Sequence, residues 1–143
     1  MKKVQRWRYY CGFCKKSGGS GAAMHKHEMA CTLNPGRVCG ICSLMGEATP
    51  AMAEMLALLP DPTGLLTSME SEQSLCDAVE AAMPALRELA NNCPACIMAA
   101  LRIKGIPVPM VDSFDYKKEF AARMADMAEA QKVTDDLYND FGR

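Results

Sequence analysis

Apolar residues recur at helical spacing through most of the chain beyond residue 48. In "SEQSLCDAVEAAMPALRELANN", residues 71–92, Leu75, Val79, Met83, Leu86 and Leu89 fall three or four positions apart and so share one helical face. Pro84 lies inside that run, where a missing N–H predicts a kink or a break. "ATPAMAEMLALLP" predicts a short helix between Pro50 and Pro60, and "PDPTG" after it reads as a turn. "PACIMAALRIKG" predicts a further helix with Pro94 in its first turn, where a proline ring is tolerated. "GIPVPMVDS" reads as extended, because each proline disfavours helix in the residue before it. From Phe114 or Asp115 to about Phe141 the pattern predicts one amphipathic helix, with Phe120, Met124, Met127, Val133, Leu137 and Phe141 on a broad stripe. That stripe fits either the closing of a core or docking into another protein's groove. Strand signals are confined to "RWRYY" and "VPMV", and no repeats occur. The expected class is therefore mainly α.

Half of the 143 residues are apolar, enough for a real core. No apolar run approaches the roughly 18 residues that a membrane helix needs. The opening "MKKVQRWRYY" is basic but leads into no apolar signal region, so the expectation is a non-secreted protein, cytoplasmic or associated with nucleic acid. Thiols stay reduced in such a compartment, which makes metal binding or catalysis a better reading of the eight cysteines than disulfides.

The near-neutral total charge conceals an asymmetry. Residues 1–38 hold eight cations against the single acid Glu28, a formal +7, whereas residues 39–143 hold eight cations against sixteen acids, a formal −8. A basic head on an acidic body suggests either two faces for two partners or halves that neutralise each other within one fold.

Five cysteines and both histidines crowd into "YYCGFCKKSGGSGAAMHKHEMACTLNPGRVCGIC", residues 9–42. Cys11, Cys14, His27 and Cys31 follow the spacing C-x2-C-x12-H-x3-C. A C-x-x-C turn sets two thiolates on one side of a bend, and His27 and Cys31 at i, i+4 share one face of the helix expected for "AAMHKHEMAC". Together they complete a tetrahedron for Zn²⁺ with no open position, a structural site. His25 points away from Cys31 on such a helix and reads as a surface residue. Residues 9–31 resemble the zinc finger of two cysteines and two histidines, in the variant whose last histidine is a cysteine. Tyr9 stands where those fingers carry an aromatic and Met24 where they carry a leucine. Gly18 occupies the place of their second aromatic, so the resemblance implies a distorted ββα hairpin or a looser knuckle.

"CGIC" at 39–42 and "CPAC" at 93–96 make two further C-x-x-C pairs. Joining them gives a second zinc site, Cys39, Cys42, Cys93 and Cys96, which staples a long helical insertion at its base. The helix expected after Pro94 would stabilise thiolates at its start. A lone "CPAC" also fits thiol–disulfide exchange, although a thioredoxin-like site should follow a strand rather than the helix expected over 71–92. An iron–sulfur cluster could use the same four cysteines. Cys76 is left over as a small buried helix residue, and the twelve methionines read as core or adaptable interface rather than Cu(I) ligands. The expected organisation is a basic finger-like module at 1–38, a helical domain at 39–107 closed by the second site, and an extended linker with a terminal helix at 108–143. Two Zn²⁺ per chain are expected.

Catalytic templates find no footing. No histidine lies outside the proposed finger helix, "KKSGGSG" lacks the lysine–hydroxyl pair of a phosphate loop, and both metal sites are saturated. The expectation is a non-enzymatic binding protein. Lys2, Lys3, Arg6 and Arg8 interleave with Trp7 and Tyr10, and Lys15, Lys16 and Lys26 extend the positive surface, a set suited to phosphates and stacked bases. The finger resemblance implies a base-reading face of Ser20, Ala22, Ala23 and Lys26, whose two alanines offer base edges no hydrogen bonds. Contacts to backbone or single strands are expected instead. A zinc-stabilised adaptor or subunit that touches only protein, with no nucleic acid, is the competing expectation, and a C-x-x-C redox protein the third.

Overall fold

A computed structural model describes residues 1–64 and 66–141, with side chains through Leu137. A two-residue hairpin, β1 (Tyr9–Tyr10) with β2 (Ser17–Gly18), leads into α1 (Gly21–Ala30). A single turn of helix follows as α2 (Gly40–Leu44), then α3 (Met52–Leu58), α4 (Met69–Leu89), α5 (Pro94–Lys104) and α6 (Tyr116–Phe141). The molecule is mainly helical, as its patterning predicts, and no helix among the described residues is long and apolar enough to cross a membrane.

The larger core is built around α5. Ala95, Cys96, Ile97, Ala99, Ala100 and Leu101 are all buried, so this helix is apolar on almost every side, as a central helix must be. Met55 of α3 lies against it, and Leu75, Val79, Met83 and Leu86 of α4, a helix that packs on α3, complete the same core. The turn between α4 and α5 is tight because Asn91 and Asn92 both take positive φ, 49° and 54°, which asparagine tolerates better than most residues. Within it the Asn92 N–H donates to the Arg87 carbonyl at 2.9 Å and the Cys93 N–H to Ala90 at 2.9 Å. This fixes Cys93 as the residue that caps α5, with Pro94 in the first turn; Gly105, at φ 85°, ends the helix.

Three details differ from the patterning. α4 runs unbroken through Pro84, whose side is exposed, so the lost amide costs a bond on a face that water can reach. "VPMV" forms a short 3-10 turn at Val108–Met110 in place of a strand, and of "RWRYY" only Tyr9 and Tyr10 pair. The stripe of α6 is used over its first half: Tyr116 and Met124 pack against the core, while Val133 and Leu137 are 55% and 57% exposed. The side chain of Phe141 lies outside the described residues. Arg87 ties α6 down through both its terminal nitrogens to Glu119 at 2.8 Å, and Arg123 reaches Glu47 at 2.8 Å. Cys76 is half-buried rather than buried.

Candidate metal centres

The first site is assembled entirely from residues 11–31. The Cys11 N–H donates to the Lys16 carbonyl at 2.9 Å, closing the knuckle that turns the two thiols inward. The N–H groups of Phe13 and Lys16 then donate to the sulfurs of Cys11 and Cys14, each at 3.4 Å. Ser20 caps α1 by accepting the Ala23 N–H at 3.3 Å. The helix presents His27 and Cys31 one turn apart, and His27 Nε2 lies 3.2 Å from Cys14 Sγ. All four ligand atoms fall within 4.8 Å of one another. Burial raises the Cys31 thiol, so ionisation there needs a cation beside it. The exposed His25 takes no part.

Gly18 is accommodated rather than merely tolerated. The Met24 methyl reaches over it, close enough that a Cβ on Gly18 would meet Met24 Cε at 3.5 Å. Tyr9 lies over Gly21, where an added Cβ would sit 3.1 Å from the ring. The hairpin is therefore short but formed, with Met24 supplying the bulk that the expected aromatic would have brought.

The second site joins two elements of similar design. Cys39 caps α2 as Cys93 caps α5, and Cys42 and Cys96 follow within the first turn of each helix. The sulfurs meet across the pair: Cys39 to Cys93 at 3.6 Å and Cys42 to Cys96 at 3.7 Å. Four thiolates about 2.3 Å from one zinc ion stand roughly 3.8 Å apart along the edges of a tetrahedron, so these spacings fit a single ion. They greatly exceed the roughly 2.05 Å of a disulfide, and all eight cysteines are free. A cluster of several irons would hold its sulfurs further apart than the 4.8 Å within which all four lie.

All four sulfurs are buried. Hydrogen bonding with Cys93 and Cys96 holds Cys39 well below the usual thiol range. Burial pushes Cys42 up to about 12. Hydrogen bonding with Cys39 and Cys93, added to burial, also pushes Cys96 well up. Without a cation the four cannot ionise together; a divalent ion at their centre removes that conflict. The two groups are thus positioned to bind two zinc ions.

Sequence reasoning missed one residue at the second site. Arg37 is 7% exposed and its Nη1 donates to Cys96 Sγ at 3.7 Å. No sequence signal marks it, since a cation two residues before Cys39 reads like any surface charge.

The remaining candidates do not gather into a pocket. Residues 1–10 are exposed throughout, Trp7 to 87%, and Lys15, Lys16 and Lys26 are exposed as well. Arg8 is partly engaged, its Nε donating to Ser17 Oγ at 2.9 Å. Comparison of the chain with models of known protein families, with curated proteins and with solved structures finds no match.

Proposed function

We propose that this is a non-enzymatic interaction protein held in shape by zinc. Its N-terminal module acts as a finger of the two-cysteine, histidine, cysteine kind that contacts nucleic acid through backbone and stacking, and its acidic helical body contacts protein. One observation carries the reading. The basic arm presents Trp7 and Tyr10 to solvent beside Lys2, Lys3 and Arg6, with Lys15, Lys16 and Lys26 exposed on the module behind it. An aromatic that exposed serves little purpose in the folded chain alone, whereas an aromatic among cations suits a base stacked above a phosphate. On α1, the side chains that would face a groove are Ala22, Ala23 and Lys26, which favours contact without sequence reading.

The burial of Cys93 and Cys39 weighs against thiol–disulfide exchange, since exchange needs a sulfur that another thiol can reach. The adaptor reading without nucleic acid draws support from α6, whose second half carries Val133 and Leu137 exposed among acids.

The test is binding of the zinc-loaded chain to a labelled single-stranded oligonucleotide across a salt series. The expected result is a linear fall of log affinity with log salt, with a slope of roughly −0.7 for each phosphate neutralised. Affinity that does not change with salt, or no binding at low salt, would sink the nucleic-acid reading and leave the adaptor.

A further inference from the structure

The guanidinium of Arg37 is buried, and its Nε has no hydrogen-bond partner. Neither ion pair among the described residues involves it; those belong to Arg87 with Glu119 and Arg123 with Glu47. A guanidinium keeps its charge in any protein environment, and a buried cation is strongly unfavourable unless an anion stands beside it. The group it touches is Cys96 Sγ, at 3.7 Å. Four thiolates around one divalent ion carry two net negative charges, which is the anion this position requires.

The backbone shows how Arg37 comes to be there. Asn34 Nδ2 donates to the Glu28 carbonyl at 2.7 Å and Asn34 Oδ1 accepts the Gly36 N–H at 2.8 Å, folding residues 34–37 into a turn on the end of α1. The Arg37 N–H closes that turn on the Asn34 carbonyl at 3.2 Å, and the Val38 N–H returns to the Met29 carbonyl at 2.8 Å. The segment is therefore fixed to the first module at its backbone and to the second metal site at its side chain. Arg102 adds an exposed contact, Nη1 to Thr32 Oγ1 at 2.9 Å.

We propose that Arg37 is the built-in counter-cation of the second zinc site, and that this contact fastens the N-terminal module to the helical body. The proposal rests on the reading of Cys39, Cys42, Cys93 and Cys96 as zinc ligands. Donation from Nη1 draws electron density from the Cys96 sulfur, making it a poorer nucleophile towards oxidants and competing metals. The same bond orients the ligand from outside the coordination sphere, as partners of metal ligands commonly do.

The experiment uses the full zinc-loaded chain with Arg37→Met and Arg37→Lys variants. Zinc affinity is read by competition with a coloured chelator, and amide exchange over residues 32–38 by mass spectrometry. Arg37→Met is expected to weaken one of the two zinc ions roughly 10- to 100-fold and to speed exchange over 32–38. Arg37→Lys keeps the charge and is expected to stay within a few-fold of the wild type. Wild-type affinity in Arg37→Met overturns the proposal, because the counter-charge is then dispensable. Equal weakening in both variants also overturns it, because shape rather than charge then matters. If Arg37→Met does not fold, Arg37→Lys decides: a folded chain with two zinc ions supports the proposal, and a chain that fails as well overturns it. If Cys93→Ser together with Cys96→Ser leaves the zinc content of the chain unchanged, the zinc reading of the second site is refuted independently of Arg37.

Discussion

Stripping the metal should unfold the two ends of the molecule unequally. The buried core of the first module is Cys11, Met24 and Cys31, with Cys14 and Leu33 packed against it. Three of those five side chains are themselves ligands, which leaves Met24 as the one fully buried apolar group that owes nothing to the metal. Burying a methionine contributes about 1.5–3 kcal/mol. A structural zinc ion contributes roughly 10–16 kcal/mol of apparent binding free energy near neutral pH, several times as much. The helical body stands differently: Met55, Leu75, Val79, Met83, Leu86, Ile97, Leu101 and Ile106 are all buried without being ligands, and at the same scale they bury about eight times what Met24 does. On adding chelator at pH 7, amides of residues 9–31 should lose protection from exchange while those of α4 and α5 keep most of theirs. The second ion should leave later, because its four sulfurs are shielded from solvent. Peptide-resolved hydrogen exchange beside metal analysis reads both events. Metal-free protein with residues 9–31 still protected would refute the argument, as would a body that melts together with the module.

Pro84→Ala should stabilise the chain. It restores an amide to the interior of α4 at an exposed position, where proline is about 3 kcal/mol worse than alanine. The stiffer unfolded chain that proline gives offsets about 0.4–1 kcal/mol of that. The denaturant midpoint should rise by the equivalent of roughly 2 kcal/mol, with zinc content unchanged; a fall would mean that the proline ring makes a contact the helix needs. Glu80 predicts a pH dependence. The Ser113 side chain, helped by the Ser113 N–H that donates to Oε1 at 3.1 Å, holds its carboxyl below the usual glutamate range, so this contribution to stability is present above the unfolded value, about 4.3, and is lost as pH falls through the lowered folded value. Glu80→Gln should remove that part of the acid slope in thermal melts taken below about pH 4.3, and an unchanged slope would show that the bond carries no linkage.

Both metal sites were legible because ligand chemistry leaves a local mark. C-x-x-C spacing is set by a single turn, and His27 and Cys31 by one turn of helix, so no tertiary information is needed to propose them. Joining Cys39 and Cys42 to Cys93 and Cys96 across some fifty residues worked only by elimination, once Cys76 and His25 were set aside. The helices over 71–92 and from 94 were legible from periodicity. Pro84 was given too much weight, because its cost depends on which face meets water and the pattern alone does not weigh one missing bond against a whole buried stripe. The end of the α6 stripe could not be told from its start, because an apolar residue such as Val133 looks the same whether or not a neighbour covers it. Arg37 was invisible for a related reason: a cation before a cysteine says nothing of burial, which arises only when α5 arrives against the turn at Asn34.

The two sites also differ in where their ligands fall along the polypeptide. Cys11 to Cys31 is one uninterrupted stretch, whereas the second cage waits for Cys96. At ribosomal speeds of roughly 5–20 residues per second, the module can take up its ion and fold seconds before its neighbour has all its donors. For that interval Cys39 and Cys42 stand outside the ribosome as an incomplete pair. Newborn chains are therefore most open to oxidation or to capture of the wrong metal between the emergence of Cys42 and that of Cys96.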